Sequence, residues 1–299
     1  MADPVPSPDR SASPPDLAAI PPGYRRIESA RGRLVVADWA AAELERAGFT
    51  LDSDGDLRAS SLAGRKALAE TADGRILVRR FTHGGLLRFL TGPRFRDPER
   101  PFAELALSTW LGDRGVLTPP VAAARARRAP LCGHELALAT RRIAGARDLE
   151  SHLVDVRAGR RRPASLRANL RAFGALVARL HAIGFLHADL TPKNVLVEDA
   201  AADPPRLWLI DLDRSRVEQP LGERARRDNL RRLWRFVDRR ERRDGRALSR
   251  RDVARFLAAY EPDRARRHAT WRAVLADHGR AAVWHRIGWA LDRARPGRA

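Results

Sequence analysis

The stretch Leu186-His187-Ala188-Asp189-Leu190-Thr191-Pro192-Lys193-Asn194 constrains this chain more than any other, because of what flanks it. Before it, Leu166, Leu170, Phe173, Val177 and Leu180 recur at alternating spacings of four and three, the period of an amphipathic helix. After it comes Val195-Leu196-Val197, a short apolar run suited to a strand, and then the polar turn Glu198 to Pro205. A second apolar run, Leu207-Trp208-Leu209-Ile210, delivers Asp211 at its end. Helix, loop, strand, turn, strand and Asp is a frame that presents two carboxylates and one amide at set points along the chain.

That set of groups matches the needs of phosphoryl transfer. The reaction asks little covalent chemistry of a protein; it needs a carboxylate to orient the attacking hydroxyl and accept its proton, and oxygen ligands to hold Mg²⁺ against the phosphates. Asp189 fits the first role, as the candidate catalytic base. Asn194 and Asp211 fit the second, as candidate metal ligands, with Asp211 in the position of a kinase D-F-G aspartate. An H-x-D-x-x-x-x-N pattern alone is a weak signal, and the flanking helix and strands are what strengthen it.

A nucleotide-binding region should lie upstream. Arg75-Ile76-Leu77-Val78-Arg79-Arg80-Phe81 alternates as a strand does, with Arg79 or Arg80 where a kinase carries its phosphate-binding Lys. Arg can grip phosphate and carboxylate bidentately, so the exchange is chemically sound though not equivalent. Glu104, in the helical Pro101 to Leu107, is the natural carboxylate partner. The lesser alternative is that both arginines are ordinary strand-surface cations. The phosphate-covering loop is represented only by Gly64 in Ser60 to Lys66, with no G-x-G-x-x-G.

On these residues the chain resembles the lipopolysaccharide core kinases, which include the kinase acting on 3-deoxy-D-manno-octulosonic acid (Kdo) and the heptose kinase of the inner core. Leu77 to Leu86, ending His83-Gly84-Gly85-Leu86, looks like that family's strand and R-G-G-L turn. Glu104, the turn Gly115 to Val121, the His187–Asn194 loop, Ile210 to Arg214 and Asn229 to Arg235 resemble its other blocks, in the same order. His83 departs from the usual Arg, and Thr118-Pro119-Pro120 from L-P-V-P. The resemblance spans about Gly64 to Arg235. It implies an α+β, two-lobed, protein-kinase-like fold with a small antiparallel-sheet N-lobe and a mainly helical C-lobe. It also implies ATP, Mg²⁺ and a sugar hydroxyl as acceptor, and its block puts the phosphate-binding Arg at Arg79.

Two absences narrow the acceptor. Ala188 replaces the Arg that would meet a phosphorylated activation loop, and no A-P-E follows Asp211. A small-molecule or glycolipid acceptor fits better than a protein. An aminoglycoside-type phosphotransferase is the nearest competitor, and a non-catalytic kinase-like module binding anionic polymer or nucleic acid is the alternative from another class.

Charge points to an anionic partner. The formal net charge is +20, and between Arg224 and Arg255 fourteen Arg stand against five acidic residues. Such a surface would meet an anionic glycolipid or sugar, or the headgroups of an anionic membrane, where each Arg contributes on the order of 1 kcal/mol. The bland reading is a solvated helical face. Nucleic acid is the weaker partner, since only Trp234 and Phe236 are aromatic in that run, a poor stacking platform. Trp234, Trp271, Trp284 and Trp289 read as packing residues.

Residues 1–22 are rich in Pro, Ser and Asp and read as a disordered tail without an apolar signal core. Residues 23–142 form the expected N-terminal nucleotide-binding lobe, with 23–57 a helical or mixed lead-in. Residues 143–295 form the helical catalytic lobe, with Arg141 to Gly145 as a hinge able to meet adenine. The single cysteine, Cys132, reads as a strand or turn thiol, and with no 18-residue apolar run the expected location is cytoplasmic, with peripheral contact on the inner face of the cytoplasmic membrane as the extension of that expectation. His181 reads as a helix-end residue, His187 as a loop brace, and Asp213 as a partner of Arg214 or Arg216 or a further metal group.

Overall fold

The computed structural model describes residues 14–60, 68–82, 94–130, 132–198, 205–245 and 248–293, with side chains described through residue 279. The described residues divide into two compact units, 14–146 with Trp208–Ser215, and Arg147–Leu207 with 216–293.

The first unit is an antiparallel sheet with helices on it. Its strands are β1 (Tyr24–Ser29), β2 (Gly32–Ala37), β3 (Arg58–Ala59), β4 (Leu68–Glu70), β5 (Ile76–Arg80), β6 (Arg94–Phe95), β7 (Val121–Arg128) and β8 (His134–Arg141). They run in the order β1-β2-β7-β8-β5-β4-β3, with β6 beside β8. The lead-in is mixed: it opens as the β1–β2 hairpin, helix α1 follows at Ala41–Arg46, and Gly48, at φ +69°, lies just beyond it. The strand signal of β2 is blurred because both its faces are covered. Leu34 and Val36 join one apolar cluster with Phe49, Ile76 and Val78, while Val35 joins another with Phe81, Phe102 and Leu138. Ile20 packs against this second cluster, so the end of the stretch read as a tail belongs to the unit.

Helix α2 (Arg100–Asp113) lays Phe102 and Leu105 on that second cluster, which fixes the orientation of Glu104. Pro101 is tolerated because it falls in the first turn, where N–H groups have no helical acceptor. One buried cation was not legible in the sequence. Arg125, 2% exposed, donates through Nη1 to Thr50 O at 2.7 Å and Ser53 O at 2.8 Å, pairs with Asp54, and covers the Phe49 ring at 4.2 Å. Burial lowers its pKa, and the hydrogen bonds pin the loop that follows α1.

The second unit is mainly helical: α3 (Leu149–Arg157), α4 (Pro163–Ala182), α5 (Glu223–Asp244), α6 (Arg250–Tyr260) and α7 (Arg264–Arg293). Short strands punctuate it. β9 (Arg147–Asp148) pairs antiparallel with β11 (Val195–Val197), and β10 (Phe185–Leu186) with β13 (Arg216–Val217). Helices α4 and α6 approach closely at Gly174, where an added Cβ would come within 2.3 Å of Phe256 O. Trp234 and Trp271 meet edge to face at 4.9 Å between α5 and α7, as packing residues do; the side chains of Trp284 and Trp289 lie outside the described part. No helix is long and apolar enough to cross a membrane among the described residues.

Candidate active site

In the sheet-bearing unit, β12 (Leu207–Leu209) carries the chain to Asp211 and is fixed there by Leu209 N–H donating to Leu117 O at 2.8 Å. Three successive residues then engage groups from β5 and α2. Arg79 Nη1 donates to Asp211 Oδ1 at 2.7 Å, Leu212 N–H donates to Glu104 Oε1 at 3.1 Å, and Asp213 receives both Nε (3.0 Å) and Nη2 of Arg100. Arg79 Nη2 pairs with Glu104 as well, so one guanidinium joins the helix carboxylate to the strand-end carboxylate. Asp213 thus takes neither Arg214 nor Arg216 as partner. Arg214 sits at φ +61°, in the turn closed by Ser215 N–H to Leu212 O, and Arg216 pairs with Glu218.

Burial pushes the Glu104 carboxyl up, against the pull of Arg79. For Arg79 burial works against the charge, but Glu104, Asp211 and Asp213 outweigh it and hold the guanidinium above its ordinary value. Two guanidiniums here face three carboxylates, leaving negative charge over for a cation. Asp211 lies at φ +62°, a left-handed conformation rare outside glycine and found where surrounding structure enforces it, often at functional sites.

Arg80 lies on the opposite strand face and meets Asp54 at 2.9 Å. Gly64 and the His83 to Leu86 turn fall outside the described residues. Within the expected hinge, the Arg141 and Arg142 N–H groups are spent on the Pro120 and Arg75 carbonyls.

In the helical unit the loop between β10 and β11 is held by neutral groups. His187, 1% exposed, accepts the Asp189 N–H on Nδ1 at 3.1 Å, and its carbonyl accepts Asn229 Nδ2 at 2.8 Å. Asn194 Nδ2 donates to Asp189 O at 2.7 Å and Oδ2 at 3.2 Å. Asp189 itself is exposed. His181 is more than a helix end. It is buried between Tyr260 OH (2.9 Å to Nδ1) and Asn229 Oδ1 (3.1 Å to Nε2), and burial lowers its pKa to about 4. Asn229 therefore links His181 to the loop, a role that a lone polar residue in an Arg-rich helix did not signal.

Asn194 and Asp211, each within its own unit, present the donor type that Mg²⁺ takes. Both Asn194 bonds use Nδ2, so its amide oxygen is turned away from them, and Asp211 supplies a carboxylate; both are hard oxygen donors. Among the described residues no group of three or more His, Cys, Asp or Glu could hold a metal. Mg²⁺ requires no such cage, since it is commonly held by one or two carboxylates together with substrate phosphates.

Residues 64–260 match the model of the lipopolysaccharide kinase (Kdo/WaaP) family. The chain belongs to this family. It is accordingly a kinase, a phosphotransferase with an alcohol group as acceptor, which disposes of the non-catalytic binding module. Its relatives include proteins named 3-deoxy-D-manno-octulosonic acid kinase from Xanthomonas euvesicatoria, 32% identical over 80% of this chain and 90% of theirs, and from Pasteurella multocida, 29% identical over 62% and 74%. A solved structure titled WaaP in complex with acyl carrier protein superimposes with a TM-score of 0.55 at 23% identity, covering 84% of this chain and 98% of that one. The likeness shows the α+β, protein-kinase-like fold for this lipopolysaccharide kinase.

Proposed function

We propose that this lipopolysaccharide kinase transfers the γ-phosphoryl group of ATP to a hydroxyl of an inner-core sugar, with Kdo favoured over heptose. The Kdo preference is supported by the names of the relatives that match most of its length. The observation that carries the catalytic reading is the presentation of Asp189. Its backbone is tied to His187 and Asn194, while its carboxylate is exposed.

In this reading Asp189 orients the acceptor hydroxyl and takes its proton as the oxygen attacks the γ-phosphorus. The new O–P bond forms as the bond to the bridging oxygen of ADP breaks. The Asn194 contact to Oδ2 holds the carboxylate so that Oδ1 meets the hydroxyl. Arg79, steadied by Glu104, binds nucleotide phosphates. Asn194 and Asp211 hold Mg²⁺, which when bound neutralises phosphate charge. Residues 23–142 serve as the nucleotide-binding lobe and 143–295 as the catalytic lobe. The Arg-rich surface supports peripheral contact with an anionic membrane.

The test is transfer from labelled ATP to lipid A precursors carrying Kdo or heptose, with the product located by ³¹P NMR. A new phosphomonoester on Kdo is expected. Transfer to neither sugar, with transfer to an aminoglycoside instead, would overturn the reading.

A further inference from the structure

Helix α5 is tied to the catalytic loop at two points. Asn229 donates to His187 O at 2.8 Å, and the Lys193 ammonium stands 5.9 Å from the centre of the Phe236 ring. Arg232 comes three residues after Asn229 and four before Phe236, so it lies beside both on the helix surface. Arg235 and Arg239 follow three and seven residues after Arg232, extending one stripe along the edge of the loop-bearing face. All three are exposed.

The other arginines of this helix mostly find carboxylates. Arg231 meets Asp228 at 3.2 Å, Arg240 meets Glu150 and Asp244, Arg242 meets Asp238, and Arg243 meets Asp244. Among the described residues, Arg232, Arg235 and Arg239 form no such pair. Like charges at this spacing repel and destabilise a helix, so a stripe of them without counter-charge is suited to an anion that arrives from outside. Arg235 records the crowding: burial lowers its pKa, followed by repulsion from Arg232, Arg239 and Arg231, and the opposing influence is Asp189. The candidate base and the stripe are thus within electrostatic reach of each other, inside one unit.

We propose that Arg232, Arg235 and Arg239 form an oxyanion subsite that grips a carboxylate or phosphate of the acceptor and so brings its hydroxyl to Asp189. The proposal rests on Asp189 being the acceptor-side base. Guanidinium groups suit the task because their paired N–H donors match both oxyanions. Arg231, already paired with Asp228, is left out of the subsite.

The full-length protein with Arg232, Arg235 and Arg239 changed to Gln tests this by steady-state transfer. Three acceptors are compared: the Kdo-bearing lipid A precursor, the same with its Kdo carboxylate esterified, and the same without its lipid A phosphates. The variant should raise the acceptor KM by about tenfold or more, the loss of at least one charged hydrogen bond, while the ATP KM stays within about twofold. A control lacking the exposed Arg167, Arg171 and Arg251 should keep the wild-type values. Esterification should cost the wild type as much as the variant loses if the carboxylate is the group held; a loss that follows phosphate removal instead assigns the phosphate. An unchanged acceptor KM, with the same preference for charged acceptors, overturns the subsite. Should the wild type transfer phosphate to none of the three, the kinase-acceptor reading has failed separately. Binding of the precursor by calorimetry then decides the subsite, and equal affinity in variant and wild type overturns it.

Discussion

Asp211 is held by charge, inside a cluster of Arg79, Glu104, Arg100 and Asp213, whereas Asp189 is held by an imidazole, an amide side chain and the backbone. The first arrangement buries Glu104, leaves Asp211 and Asp213 half-buried, and depends on every partner being present. The second leaves its carboxylate exposed, secures the backbone beneath it and touches one carboxylate oxygen through the Asn194 amide alone. A group that is to hold a cation gains from a fixed, charged frame. One that is to take a proton from an incoming hydroxyl has to remain open to it. The two regions should therefore respond differently to mutation, the first in stability together with activity, the second in turnover alone.

The largest effect is expected at Asp211. Asp211→Ala should abolish Mg²⁺-dependent transfer, because Asn194 alone is a neutral and weak ligand for a hard cation. Calorimetry of Mg-ATP binding checks it; equal affinity and equal Mg²⁺ dependence in both proteins would remove Asp211 from the site. Asp189→Asn should lower turnover by about 10²–10⁴-fold and leave both ATP affinity and unfolding midpoint near the wild-type values. A large drop in the unfolding midpoint would erase the contrast between the regions.

Glu104→Ala probes the charged frame from the other side. Removing one partner of a buried ion pair costs about 3–5 kcal/mol, and the lower end applies here because Arg79 keeps Asp211. The Leu212 N–H also loses its acceptor. Urea unfolding measures the change, and a loss below about 1 kcal/mol would mean that the cluster is not the rigid element it is taken to be.

His181 carries the contrast into pH. Its pKa is about 4 in the fold against 6.5 ordinarily, so between these values the unfolded chain binds a proton that the native one does not. Stability from this group is then full above pH 6.5 and lost as pH falls toward 4, by roughly 3 kcal/mol in all. His181→Gln should flatten that slope. If stability of the wild type and the variant falls equally over this window, other groups are responsible.

The parts of this molecule that were legible in its sequence are those built from local order. The α4 helix, the loop from His187 to Asn194 and the strand leading to Asp211 follow from periodicity and spacing over a few dozen residues. Hidden were features that depend on distant partners. The β1–β2 hairpin gave no clean alternation because Leu34 and Val35 are both buried, on opposite faces. Asp213 was read against its neighbours in sequence, but the turn at Arg214 leads it to Arg100, 113 positions away. Arg125 sits in an alanine-rich strand that offers no hint of the loop carbonyls waiting for it, and Asn229 gains meaning only once His181 and His187 converge on it.

The smallest expected effect concerns Arg80, and it bears on the register of the charged region. Along β5, Ile76, Val78 and Arg80 share one face, and the first two are fully buried in the cluster with Leu34 and Phe49. Leu77 and Arg79 share the other, which is how Arg79 reaches Glu104 and Asp211. Arg80 lies at the rim of its face, 46% exposed, and its partner Asp54 is also held by Arg125. An exposed pair of this kind contributes about 0–1 kcal/mol, so Arg80→Ala should alter stability within that range and leave the ATP KM unchanged. Arg79→Ala, by contrast, should raise that KM about tenfold or more, the equivalent of a lost charged hydrogen bond to phosphate. Steady-state kinetics on both variants, run at saturating acceptor, makes the comparison. A sharp rise for Arg80→Ala with none for Arg79→Ala would move the phosphate contact to the other face of the strand, and Glu104 would then brace a residue that the nucleotide never meets.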